Sequence, residues 1–103
     1  MDAQLGLLDD GQTIQNRFER FHIRHPEVYD ELVRLAEAAQ YVGRRHIGIR
    51  MLWERMRWTF TIERDADEDF KLNDHYHSRY VRLICELRPD LAGMFHLREL
   101  RSA

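Results

Sequence analysis

Ile49-Arg50-Met51-Leu52-Trp53-Glu54-Arg55-Met56-Arg57-Trp58-Thr59-Phe60-Thr61-Ile62 changes rhythm part-way along. Met51, Leu52, Trp53 and Met56 describe a short helix, apolar on more than half its circumference, as in a helix buried between neighbours. Trp58 closes it. Thr59 to Ile62 then alternates β-branched and aromatic residues, which is a strand pattern. The acidic run from Arg64 to Asp69 reads as a turn, and Phe70-Lys71-Leu72 as the returning strand. On this reading the chain is mainly α with a small β hairpin, an α+β fold.

Helices surround that segment. Upstream, Thr13 can cap a helix in which Ile14, Phe18, Phe21 and His22 share a face. Arg24 ends it, because the residue before a proline avoids the α region. Pro26 opens a second helix with Glu27 in its first turn. Val28, Leu32, Leu35 and Ala39 form its apolar face, and Glu27, Asp30, Glu31, Arg34 and Glu37 the polar one. Gly43 is its natural stop. Downstream, Asn73 or Asp74 caps a helix whose stripe is Tyr76, Tyr80, Leu83, Ile84 and Leu87, and Pro89 ends it. Met94 to Arg98 alternates again and reads as a final strand. Residues 1–12 lack periodicity and read as a flexible tail before a single domain at 13–103.

These parts resemble a winged helix-turn-helix. About fifteen residues separate the short helix from the capped one, where a standard turn needs about three or four. The hairpin at 59–72 or the strand at 94–98 would then be the wing.

The chain has 103 residues, 44% hydrophobic and 33% charged, a globular composition for one domain. That length excludes multidomain enzymes and repeat arrays. No apolar run reaches the ~18 residues needed to span a bilayer. The start carries no basic leader, and the single cysteine, Cys85, cannot form an internal disulfide, so a cytoplasmic protein is expected.

Net charge is −2, but its distribution is uneven: −4 over residues 1–43, +4 over 44–58, −4 over 59–69 and +2 over 70–103. Fifteen of the sixteen Lys and Arg are arginine. Arginine suits bidentate contacts to phosphates and base edges. On the helix at about 74–88, 100° steps place His75, Arg79, Arg82 and Glu86 on one flank, with Ser78 beside them. Donors in the first two turns of a helix are what major-groove reading requires. The reading is therefore a DNA-binding protein, a transcriptional regulator or mobile-element accessory factor, with this helix as recognition helix. Arg79 and Arg82 would contact bases or phosphates, Asn73, His75 and Ser78 would assist, and Arg44, Arg45 and Lys71 would clamp the backbone. The plainer reading is a solvated face with an Arg82–Glu86 pair worth tenths of a kcal/mol. Val81 and Cys85 on the other flank suggest secondary packing, against a second subunit in a homodimer. An alternative is a protein-interaction module, or a homodimeric structural protein, without nucleic acid.

A third reading, ranked below both, is a small metal-dependent enzyme using the histidines, and enzymatic chemistry finds little support. His22 and His25 at i, i+3 lack a third metal ligand. Asp65, Asp67 and Asp69 match the first three positions of a calcium loop, but Phe70 and Tyr76 replace its glycine and glutamate. No nucleophile elbow or phosphate loop exists. Cys85 lies mid-helix, where nothing lowers its pKa. Pro89-Asp90 with Glu99-Leu100-Arg101 loosely resembles a nuclease core, but with arginine where lysine is needed. No metal, cofactor, small-molecule substrate or membrane is expected.

The segments Phe18-Glu19-Arg20-Phe21-His22, Gly43-Arg44-Arg45-His46-Ile47-Gly48-Ile49, Arg57-Trp58, Phe70-Lys71-Leu72-Asn73 and Tyr80-Val81-Arg82-Leu83-Ile84 together resemble a family of small bacterial and phage- or prophage-associated proteins without an established activity. The resemblance runs from about residue 15 onward. It implies a mobile-element accessory role and no particular mechanism.

Overall fold

A computed structural model describes residues 10–64 and 74–95. The helices are α1 (Asp10–Arg24), α2 (Pro26–Tyr41), α3 (Ile49–Trp58), α4 (His77–Leu87) and α5 (Pro89–Ala92). A π turn at Thr59–Glu63 continues α3, and a 3-10 turn at Asp74–Tyr76 leads into α4. Among the described residues there is no strand.

The helix boundaries follow local chemistry. Pro26 takes the first turn of α2, where its missing N–H costs nothing, and Glu27 favours the positive end of the dipole. Gly43 adopts φ +91° past the C-terminus. Its N–H donates to Gln40 and the N–H of Arg44 to Ala39, which satisfies carbonyls the helix leaves open. α1 begins at Asp10, three residues before the expected Thr13 cap, so residues 10–12, expected in the tail, are helical.

The hairpin expectation fails at its first strand. In a strand Phe60 and Ile62 would share a face. Instead Thr59 and Phe60 are both buried, while Thr61 and Ile62 are exposed. Arg64 N–H donates to the Thr59 carbonyl at 2.9 Å, five residues back, which is π spacing. Two interactions favour continued helix over alternation. The Thr59 hydroxyl donates back to the Arg55 carbonyl at 3.2 Å. The Arg64 guanidinium lies 4.8 Å from the Phe60 ring centroid, a cation–π contact. The final strand also fails where it is described: Met94 and Phe95 are both buried, and their N–H groups bond to Leu91 and Ala92 in a helical turn. Over the described residues the fold is thus helical rather than α+β, and no hairpin or winged helix is seen among them. Phe70-Lys71-Leu72 and residues 96–98 lie outside the described residues.

The core is centred on α2, α3 and α4. Val28, Leu32 and Ala36 of α2 meet Leu52, Trp53 and Met56 of α3 and Tyr80 and Ile84 of α4. α1 adds an aromatic edge: Phe18 meets Tyr80 edge-to-face, with centroids 4.8 Å apart, and Phe21 lies 5.2 Å from Tyr76. Trp53 meets His77 edge-to-face at 4.6 Å. The short helix is not enclosed on every side, since Met51 and Trp58 point outward.

Glu31, expected on the polar face of α2, is only 4% exposed. Its carboxylate accepts two bonds from Arg34, at 2.8 and 2.6 Å, and lies 3.8 Å from Arg64. The hydrogen bonds from Arg34 hold the Glu31 carboxyl below its ordinary value, against the opposing effect of burial.

Candidate nucleic-acid interface

The loop between α2 and α3 is built by two backbone constraints. Gly43 turns the chain out of α2 in the left-handed region that other residues avoid. Ile47 N–H then donates to the Met94 carbonyl at 2.8 Å, which ties the far end of the loop to the turn after α5. Arg44, Arg45 and His46 are exposed between these anchors.

α3 opens directly from this loop. Gly48 is its N-cap in extended conformation, with no side-chain cap and no acid in the first turn. The partial positive charge of the helix start is therefore not offset by an acid in its own cap or first turn. Arg50 stands exposed in that first turn. From Val42 to Trp53 the sequence holds no acidic residue. Residues 47–50 face His77 and Val81 of α4 and Phe95 across an open cleft of about 480 Å³. Val81 is thus packed within its own chain, in place of the second-subunit contact the sequence suggested.

The expected site residues separate on α4. Arg79 is half-buried, and its Nε donates to Gln15 Oε1 of α1 at 2.9 Å, while an Nη reaches the His75 carbonyl at 3.4 Å. It is a strut between α4 and α1. Arg82 is exposed and makes no ion pair with any described residue, Glu86 included. Ser78 is half-buried and His75 exposed at the helix start. Asn73 and Lys71 lie outside the described residues. The Tyr76 N-cap of α4 makes no side-chain cap bond.

Sorting the arginines by partner separates two populations. Arg34, Arg55, Arg57, Arg64 and Arg88 each approach a carboxylate within ion-pair distance. Arg44, Arg45, Arg50 and Arg82 have no such partner among the described residues. Nor have Arg17, Arg20 and Arg24, which recur at i, i+3 and i+7 along the exposed side of α1. The sequence reading passed over this stripe. Its helical spacing was visible, but the acids of α2 masked it in the −4 sum for residues 1–43.

Other chemistries lack a geometry. No group of three or more His, Cys, Asp or Glu among the described residues could hold a metal. His22 stacks on Phe18, and His25 Nδ1 lies 3.2 Å from Glu27. Burial, with Glu86 adding to it, pushes the Cys85 thiol up, away from nucleophilic thiolate. Asp90 is bound to Arg88 at 2.8 and 2.9 Å in the first turn of α5. The Asp65–Asp69 run, Glu99 and Arg101 lie outside the described residues. No described helix is long and apolar enough to cross a membrane.

No protein-family model, curated protein or solved structure matches this chain.

Proposed function

We propose that this chain binds double-stranded DNA through its phosphate backbone. Arg44, Arg45 and Arg50 at the open start of α3 are the main contacts, with Arg82 of α4 beside them. The observation that carries the reading is the segment from Val42 to Trp53: three exposed arginines, no acid, and an uncapped helix N-terminus. Helix starts favour anions, and unpaired arginines release counterions when they meet phosphate. Base reading by α4 is the weaker part of the DNA hypothesis. Arg79 is already committed to Gln15, which leaves Arg82, His75 and Ser78. Phosphate contacts position a protein without specifying sequence. A role as a mobile-element accessory factor in the cytoplasm fits this reading and the family resemblance.

The test is fluorescence anisotropy with a labelled random duplex over a salt series. Four phosphate contacts give a slope of log K against log salt near −3.6, at about −0.9 per contact. Replacing Arg44, Arg45 and Arg50 together by alanine reduces the steepness by about 3, since each lost contact removes about 1. No binding at low salt overturns the reading. A protein-interaction module is the second reading, favoured by the apolar residues that α3 leaves exposed.

A further inference from the structure

Met51, Trp58 and Ile62 are 67%, 56% and 58% exposed. Met51 and Trp58 lie at i and i+7 of α3, and Ile62 follows four residues on, close to one full turn in either α or π spacing, so the three share one outward side. Arg55 completes it at i+4. The opposite side of the same element, with Trp53, Met56 and Phe60, is buried in the core. The stripe is therefore carried on a fixed support. Contiguous apolar surface of this kind marks an interaction site.

The order of the stripe identifies its occupant. The midpoint between Met51 and Ile62 is also the midpoint between Arg55 and Trp58. An antiparallel second copy would place Met51 against the partner's Ile62, and Trp58 against the partner's Arg55. Each contact then occurs twice, which is the requirement of a twofold, self-complementary interface. Tryptophan is the best ring for a cation–π contact, and arginine is the side-chain cation most often found over one. Arg55 is already held along the helix, donating to Thr59 Oγ1 at 2.9 Å and lying 3.8 Å from Glu63. Little side-chain freedom remains to be lost on association.

We propose that α3 and its π turn form an antiparallel homodimer interface, with Trp58 stacked on Arg55 of the partner subunit. The inference does not depend on DNA binding. A single helix pair is smaller than a standard interface of about 1,600 Å², so the dimer is weak and concentration-dependent.

Sedimentation velocity of the full chain over a concentration series tests it. The expected result is a monomer–dimer equilibrium, weakened at least tenfold by Trp58→Glu while the far-ultraviolet circular dichroism is unchanged. A monomer at every concentration, or a dimer indifferent to Trp58→Glu, overturns the proposal. Register is tested in a Cys85→Ser background. Chains carrying Met51→Cys should cross-link on oxidation to chains carrying Ile62→Cys. Preferential cross-linking of Met51→Cys chains to each other overturns the antiparallel arrangement. Iodide should quench Trp58 at dilution and lose access on association. Protection of Trp58 in the dilute monomer means that the chain covers its own stripe, and that also overturns the proposal.

Discussion

Two regions hold arginines in opposite ways. Around Glu31, a carboxylate withdrawn from water gathers Arg34 and Arg64, and Arg64 in turn covers Phe60. Around Gly48, three arginines surround a helix start with no carboxylate in the segment. The first region spends its charge inside the molecule and fixes the end of α3. The second leaves its charge without an ion-pair partner among the described residues. Net charge cannot separate the two, because both read simply as basic residues near acids or not. What separates them is whether an acid is desolvated and oriented toward the guanidinium.

The sharpest way to break the contrast is to remove the outward-facing set. Alanine at Arg44, Arg45 and Arg50 together should lower DNA affinity about 100-fold, or about 2.8 kcal/mol at 1.4 kcal/mol per tenfold. The same variant should leave stability within about 0.5 kcal/mol, as expected of exposed side chains. Anisotropy and thermal denaturation of one preparation check both halves. The reciprocal variant, Glu31→Gln, should cost about 1–2 kcal/mol of stability, because charged hydrogen bonds are lost while the two arginines can return to water. Its DNA affinity should not change, and chemical denaturation beside anisotropy measures that.

Acid titration sharpens the contrast further. The Glu31 carboxyl is held below its ordinary value of 4.5, chiefly by the hydrogen bonds from Arg34. Its contribution is complete above the unfolded value and lost as pH falls through the lower folded value. Wild-type stability should thus fall more steeply than that of Glu31→Gln below about pH 4.5, measured by denaturation at a series of pH values. The smallest effect distinguishes two residues of α4. Arg79→Ala should destabilise by about 0.5–1 kcal/mol through the lost Gln15 bond, with DNA binding nearly intact. Arg82→Ala should do the reverse, with a several-fold loss of affinity and no change in melting temperature.

The helices were legible because Pro26, Gly43 and Pro89 punctuate them and their apolar faces repeat regularly. The segment at 59–62 was not, because β-branched and aromatic residues favour strands only when a partner strand and a two-faced environment exist. Here the helix was already nucleated, and continuing it joined Phe60 to the core. Arg44 and Arg45 were legible as a basic cluster, and Arg50 was counted in the same block without being assigned a role. The commitment of Arg79 was not legible, since its partner Gln15 lies 64 residues away and only packing of α1 on α4 brings them together. Glu31 was misplaced for the same reason: on the helical wheel it sits among polar residues, and only tertiary contact covers it.

The π turn has a consequence for the length of the chain. Its five-residue hydrogen bond absorbs one more residue than an α turn would. Deleting Thr61, an exposed residue, would not simply shorten a loop. It would let the turn close in ordinary α spacing with one residue fewer, so the residues after it would keep roughly their present directions. The same deletion inside α3 would instead turn everything after it by about 100° around the axis, and Arg64 would leave Glu31. The π turn thus acts as slack in the helix, and a single deletion between Thr59 and Glu63 should be tolerated better than one between Ile49 and Trp58.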